Sequence, residues 1–168
     1  MSIQRITPFL WFDMNAEEAI NYYVSVFKNS RIINLTTYPD ESLDEHFVGM
    51  TGKLINAEFE LDGVRFGALD GGPLFRLSEA ISMLVTCDGQ EEVDYYWEKL
   101  SHVPESEQCG WCKDKFGLSW QIIPKQLNEL MSDPDPERSK RVVQAMMRMH
   151  KIDVAALQAA HDGTAEPA

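Results

Sequence analysis

The chain has 168 residues, of which 44% are apolar, so it can bury a core and is not disordered by composition. Its 15 basic and 27 acidic residues give a net charge of −12. That charge argues against nucleic acid or an anionic membrane surface as a partner, because phosphates are bound by clustered lysine and arginine. Without a membrane-spanning apolar stretch, a signal-peptide pattern or a disulfide framework, the expected location is cytoplasmic.

The first half of the chain begins with a predicted strand and an amphipathic helix. An apolar run at residues 6–13 precedes an acidic turn. Asn15, followed three residues later by Glu18, is typical of a helix N-cap with a capping box. The Asp62-Gly63 pair is typical of a type I′ hairpin turn. Segments rich in β-branched or alternating apolar residues predict three strands, at residues 30–38, 53–61 and 64–69.

The second half repeats this order. Residues 81–88 echo residues 6–13 at an offset of 75, and a Tyr-Tyr pair recurs at an offset of 73. We therefore expect an α+β fold of two tandem βαβββ modules, at residues 1–75 and 76–124. In the second module the predicted strands lie at residues 109–113 and 118–123, with a compressed strand near 103–108.

Residues 125–168 carry helical signals only, and predict a C-terminal helical extension. Asp133 or Asp135 is expected to cap a helix with Pro136 in its first turn. Asp153 is expected to begin a last helix that ends before Gly163, with the final residues 164–168 disordered. Methionines follow one side of the middle helix, which predicts a core or a subunit contact. We expect a homodimer.

Several segments carry a resemblance to a known family. The most specific is Asp114 to Pro124, supported by residues 6–13 with 16–19, 69–73, 91–97 and 109–113. They resemble the vicinal oxygen chelate superfamily, which includes glyoxalase I, extradiol dioxygenases and bleomycin-resistance proteins. The similarity is greatest to the PhnB-like subfamily, often labelled 3-demethylubiquinone-9 3-methyltransferase. The resemblance implies paired modules, each a curved half-barrel with an inner cavity, in a protein that is commonly dimeric.

The resemblance also implies where a metal would bind. The four ligand positions fall on Thr7, Gly67, Ser82 and Gln121, with Asp70 the carboxylate nearest the second. Neutral hydroxyls and amides hold divalent ions weakly, so we expect neither a metal nor another cofactor. The remaining polar groups either satisfy one another in a filled barrel or line a ligand pocket. The candidate pocket residues are Thr7, Phe9, Trp11, Asp70, Ser82, Cys109, Trp111, Trp120 and Gln121.

The expected function is binding, or binding and transformation, of a small metabolite in this cavity. Whether the protein is an enzyme stays open, because no nucleophile, carboxylate pair or histidine base can be placed in the cavity. One alternative is a metal-dependent lyase or dioxygenase. A methyltransferase is another, although Asp13-Met14-Asn15 follows the first strand instead of a glycine-rich turn. The Cys109-x-x-Cys112 motif suggests a thiol-redox protein, but residues three apart in a strand face opposite sides.

Overall fold

In the computed structural model, which describes residues 3–40, 42 and 45–164, seven strands and five helices follow one another in a mixed α+β order. The chain divides into two compact units, Met1–Leu77 and Ser78–Ala168. The first contains β1 Phe9–Phe12, α1 Ala16–Val26, β2 Arg31–Thr37, β3 Leu54–Leu61 and β4 Val64–Asp70. The second contains β5 Ser82–Cys87, α2 Gln90–Leu100, β6 Trp111–Lys113, β7 Ser119–Pro124, α3 Lys125–Met131, α4 Pro136–Met146 and α5 Val154–Asp162. The predicted fold class is confirmed, and none of the helices in the described part is long and apolar enough to cross a bilayer.

The first unit is built on a four-stranded sheet in the order β1-β4-β3-β2. Strand β1 runs parallel to β4, and the other neighbours are antiparallel. Helix α1 packs against the sheet, and alternate side chains of β1, β3 and β4 are buried on the helix side: Leu10, Phe12, Ala57, Phe59, Phe66 and Ala68. The positions between them lie on the opposite side. We call that side the open face; its residues include Phe9, Trp11, Asn56, Glu58 and Gly67.

Helix α1 begins directly after Asn15, as predicted, but the start of the helix is capped differently. The Asn15 side chain makes no capping hydrogen bond, so this part of the prediction is wrong. Instead, the backbone N–H of Ala16 donates to the Asp70 carboxylate across 2.8 Å. Asp70 ends β4 opposite Phe12, the last residue of β1, which brings its carboxylate to the start of the helix. A tertiary contact therefore satisfies an N–H group that a local cap would otherwise have to satisfy.

The second unit repeats the register of the first. Its sheet has the order β5-β7-β6, with β5 parallel to β7. Phe9 lies opposite Gly67 in the first sheet, and Leu84 lies opposite Gln121 in the second. These two pairs are related by the offsets of 75 and 54 residues that relate the ligand positions in the sequence. The internal repeat therefore corresponds to a repeated strand pairing.

The compressed strand predicted near residues 103–108 is absent from the second unit, so this element of the prediction is wrong. Residues Pro104–Ser106 form one turn of 3₁₀ helix, and only an isolated bridge joins Gln108 to Trp111. Proline explains the difference, because it has no N–H to donate to a sheet and its fixed φ suits the first turn of a helix. The second sheet therefore has three strands over the described residues.

The helical tail packs into the second unit. The predicted caps are confirmed: Asp135 accepts the N–H of Glu137 at 2.9 Å, and Asp153 accepts that of Ala156 at 2.9 Å. A buried cluster joins the end of β7 to α3, α4 and the last helix, and consists of Ile123, Leu127, Val142, Ile152 and Leu157, with Met146 and Met149 packed against it. Met146 and Met149 thus pack against the core, whereas Met147 is exposed. Of the end predicted to be disordered, residues 165–168 lie outside the described residues. Its first residue, Thr164, donates its N–H to the carbonyl of Ala159.

The end of α5 is held by a histidine placed between two carboxylates. His161 is buried, with Nε2 2.9 Å from Asp133 Oδ2 and Nδ1 2.8 Å from Asp162 Oδ1. Hydrogen bonds to Asp162 and then Asp133 raise the pKa of His161. The contact with His161 lowers the pKa of Asp162, and the N–H of Asp135 is the main cause that lowers the pKa of Asp133. Arg141 donates to the carbonyl of His161 from α4.

We predict that this arrangement makes the second unit most stable between about pH 4 and pH 6.5. The histidine contributes fully below its unfolded pKa, and its contribution is lost as the pH rises through the raised folded pKa. The carboxylates contribute above their unfolded pKa and lose their contribution as the pH falls through the lowered folded pKa. Melting temperatures of His161→Gln and wild type should therefore differ most within this range and converge at higher pH. A difference as large at pH 9, or an equal effect of the exposed control His102→Gln, would contradict the prediction.

Candidate functional site

A cavity of about 300 Å³ opens on the open face of the first unit. It combines two aromatic residues with amide, hydroxyl and charged groups, and is therefore more polar than most small-molecule pockets, which are mainly apolar. The residues that line it are Gln4, Thr7, Phe9, Asn56, Glu58, Arg65, Phe66 and Gly67. Two of the predicted pocket residues, Thr7 and Phe9, are therefore among them. Both are exposed.

The floor of this cavity is formed by a glycine beneath a phenyl ring. A Cβ atom placed on Gly67 would lie 2.3 Å from Cδ2 of Phe9, closer than any real contact. The Phe9 ring therefore occupies the space that a side chain at position 67 would fill. More than half of the Phe9 surface (54%) is still exposed. The Phe9 ring therefore offers a flat, exposed apolar surface within the cavity lining.

A second aromatic residue of β1 is seated in the same way. A Cβ on Gly71 would lie 2.1 Å from Cζ2 of Trp11. The Trp11 indole N–H donates to the carbonyl of Gly72 at 2.9 Å, and its ring meets Phe75 edge-on with centroids 4.9 Å apart. Gly71, directly after β4, therefore makes room for the indole. Trp11 is fixed beside the cavity rather than within its lining.

Glu58 is a functional candidate that was not predicted from the sequence. It lies directly opposite Gly67 in the β3–β4 pair and lines the cavity. Asp62 and Gly63 have φ values of 45° and 80°, which confirms the type I′ turn between these strands. A two-residue turn fixes the pairing of the strands it joins. The signal was therefore present in the sequence, because the turn alone places Glu58 opposite Gly67.

Gln4 and Arg65 line the cavity next to each other, and Arg65 is one of its two charged residues. The Gln4 side chain donates to the carbonyl of Arg65 at 3.0 Å and accepts its N–H at 3.2 Å, which ties the segment before β1 to β4. Arg65 lies opposite Glu60, whose carboxylate is 3.4 Å from the guanidinium of Arg31. Two arginines therefore flank Glu60. The side chain of Glu58, by contrast, makes no hydrogen bond or ion pair in the described part of the chain.

Asp70 lies on the helix side of the sheet, away from the open face. Its carboxylate is buried and accepts the N–H groups of Ala16 at 2.8 Å and Leu54 at 3.0 Å. It also borders a second cavity, of about 490 Å³, at the start of α1, where Lys53 donates to the carbonyl of Met14. These bonds give Asp70 a structural role between β3, β4 and α1.

In the second unit the structure joins two of the mapped ligand positions. Nε2 of Gln121 donates to Oγ of Ser82 at 2.8 Å. Trp111 lies opposite Gln121 in the β6–β7 pair and is partly exposed on the same side of the sheet. The hydroxyl of Ser119 is buried and has no hydrogen-bond partner in the described chain. This face of the second sheet therefore presents a paired hydroxyl and amide next to an indole.

Trp120 and the two motif cysteines have other surroundings. Trp120 is buried, and its indole N–H donates to Asp114 at 2.8 Å. The buried thiol of Cys112 has its pKa raised to about 12 by burial and by the charge of Asp114. Cys109 instead directs its sulfur toward the sulfur of Met147, 3.7 Å away. All three cysteines are free thiols, and a buried thiol with such a high pKa is a poor nucleophile.

Comparisons with known proteins identify the family. The model of a family described as 3-demethylubiquinone-9 3-methyltransferase matches residues 4–123. The solved PhnB protein from Bacillus cereus, a putative 3-demethylubiquinone-9 3-methyltransferase, is 37% identical; the match covers 72% of this chain and 99% of that chain, with a TM-score of 0.59. A protein from Staphylococcus aureus is 30% identical over 72% of this chain and 96% of its own, with a TM-score of 0.34.

A protein from Pseudomonas aeruginosa shares the fold at 19% identity, over 71% of this chain and 95% of its own, with a TM-score of 0.53. The comparison with curated proteins gave no match. The family model covers the strands that carry the cavity. The chain belongs to the PhnB-like family that is described as 3-demethylubiquinone-9 3-methyltransferase.

Proposed function

We propose that this protein binds a small planar metabolite in the open-face cavity of the first unit, without the metal used by the wider superfamily. The observation that carries the proposal is the exposed ring of Phe9, seated on Gly67 and facing polar groups of β3. The cavity volume of about 300 Å³ is at the lower end of the range for small-ligand pockets. A stacked ring would bury apolar surface while Thr7, Asn56 and Glu58 bond its substituents.

The residues at the metal positions do not fit a divalent ion. Position 67 is a glycine, and the Phe9 ring occupies the space where a ligating side chain would project. In the second unit, Gln121 already donates to Ser82. Among the described residues no group of three His, Cys, Asp or Glu side chains is placed to hold a metal ion. Hydroxyl and amide donors compensate little of the hydration that such an ion would lose.

The family's name implies the cofactor S-adenosylmethionine, but the residues after β1 do not form the binding site that is common for this cofactor. That site is a glycine-rich turn between the first strand and helix of a doubly wound parallel sheet. Here β1 is followed by Asp13-Met14-Asn15, and the N–H of Ala16 is taken by the Asp70 carboxylate. The sheet of the first unit is mainly antiparallel. The proposal therefore contains no methyl transfer.

The proposal predicts saturable binding of a neutral aryl probe that depends on Phe9. In a titration with benzamide, amide NMR shifts should concentrate at residues 56–58 and 65–69. Phe9→Ala should weaken binding about tenfold, because the stacked surface is lost. Leu74→Ala removes another exposed apolar side chain, which lies outside the cavity, and serves as the control. Scattered, non-saturating shifts, or equal affinity of Phe9→Ala and wild type, would refute the proposed site.

The proposal extends to the assembly and location expected from the sequence, namely a cytoplasmic homodimer. Met147, which is 56% exposed after α4, supplies apolar surface for contact with a second copy. Light scattering should give the mass of two chains for wild type, and Met147→Lys should shift it toward one chain. A wild-type mass of one chain at micromolar concentration would rule out the dimer.

A further inference from the structure

We propose that Glu58 determines the charge of the ligand, and that the open-face cavity takes a flat, positively charged ring compound such as an aryl amidinium or a protonated nitrogen heterocycle. The inference rests on the proposed function, because it requires a ring seated on Phe9. It adds the chemical class of that ring and the residue that selects it.

The Glu58 carboxylate lies on the same face of the sheet as the Phe9 ring. Glu58 is the cross-strand neighbour of Gly67, so its side chain starts roughly 5 Å from the Gly67 backbone, over which the Phe9 ring lies. No side chain at position 67 separates the two. Glu58 and Phe9 both line the cavity. A planar group stacked on the ring therefore has the carboxylate at its edge.

The charges on this face are unevenly paired. Arg65 lies opposite Glu60, and Arg31 is 3.4 Å from the Glu60 carboxylate, so both arginines neighbour the same acid. Glu58 has neither a hydrogen bond nor an ion pair to any described residue. Glu58 is exposed to solvent beside the cavity, so its carboxylate is free to form a charge-assisted hydrogen bond with a bound cation. The first unit holds six basic and eleven acidic residues, which also attracts cations.

The shape of the ligand must suit both the Phe9 ring and the Glu58 carboxylate. A planar cation with delocalised charge can stack on a phenyl face and donate parallel hydrogen bonds to a carboxylate. A compact ammonium group could bond to Glu58 but would leave the Phe9 ring uncovered. An anion would meet Glu58 with the same sign of charge, and Arg65, the other charged residue of the lining, lies opposite the acid Glu60. Thr7 and Asn56 remain for substituents on the ring.

Three probes of one shape and different charge test the inference: benzamidine, benzamide and benzoate, titrated into the full chain by NMR at equal ionic strength. Wild type should bind benzamidine about tenfold more tightly than benzamide, and benzoate most weakly. Glu58→Gln, which keeps the shape, should reduce the preference for benzamidine to within about twofold. Glu58→Lys should bind benzoate most tightly. Asp13→Asn, which neutralises an exposed acid of the first unit outside the cavity lining, is the control and should keep the wild-type order.

The outcomes separate this inference from the proposed function. If benzamide binds and depends on Phe9, but benzamidine has no advantage or Glu58→Gln keeps it, the inference is overturned while the proposed site stands. If benzoate binds most tightly to wild type, the inference is overturned in the same way. If no probe binds, the inference and the proposed function both fail. Circular dichroism confirms that each exposed-site variant is folded before it is titrated.

Discussion

Replacing Asp70 with asparagine is expected to lower the free energy of unfolding of the first unit by roughly 2–4 kcal/mol. The side chain is 2% exposed and accepts the N–H groups of Ala16 and Leu54 at 2.8 and 3.0 Å. Asparagine has the same shape, but its NH₂ group must face one of these donors. One buried N–H is then left without an acceptor, and the other loses a charged one.

Urea unfolding followed by circular dichroism measures this loss, and hydrogen exchange locates it. The amides of Ala16 and Leu54 should lose protection first, because Asp70 bonds them directly. Asp13→Asn, an exposed acid in the turn before α1, is the control and should change stability by less than about 0.5 kcal/mol. Unchanged stability of Asp70→Asn with loss of ligand binding would instead make Asp70 a binding residue.

Asp114→Ala is expected to have a comparable effect in the second unit, about 3–4 kcal/mol. This buried carboxylate accepts the N–H groups of Phe116 and Leu118 at 2.8 and 3.0 Å and the indole N–H of Trp120 at 2.8 Å. The first two bonds form the turn between β6 and β7, and the third fixes the buried indole. Alanine removes the carboxylate that accepts all three N–H groups, and two of these bonds are buried.

Tryptophan fluorescence during urea unfolding reports this change, because Trp120 is one of the groups released. Asp88→Asn removes an exposed carboxylate that pairs with Lys125 at 2.6 Å. An exposed pair contributes little, so the control should lose at most about 1 kcal/mol. An equal loss in both variants would show that the buried bonds of Asp114 do not stabilise the unit as described.

Where the sequence predicted the fold correctly, the signals were local or periodic. The repeat offsets match the observed pairs Phe9–Gly67 and Leu84–Gln121, since a duplicated module keeps its strand register. The caps Asp135 and Asp153 were correct because each bonds an N–H within three residues. The Asn15 cap was wrong because the acceptor that replaces it, Asp70, lies 54 residues further along the chain. Local patterns carry no information about such a contact.

The site was predictable only in part, for a related reason. Thr7 and Phe9 were found through the repeat and the resemblance, and both line the cavity. Glu58 was missed because the ligand positions implied by the resemblance lie beside or on β1, β4, β5 and β7, and none lies on β3. Trp120 and Ile122 are two residues apart on β7, so their side chains lie on the same side of the second sheet, and both are buried. The alternation of side chains along a strand is enough to separate Trp120 from Gln121 in the sequence.

The most direct test of the central claim is a crystal structure of the full chain with benzamidine, together with metal analysis of the same sample. The account predicts the ring on Phe9 above Gly67, the amidinium bonded to Glu58, and no stoichiometric metal. Density for the probe elsewhere, or a metal ion bridging the probe to the protein, would contradict it.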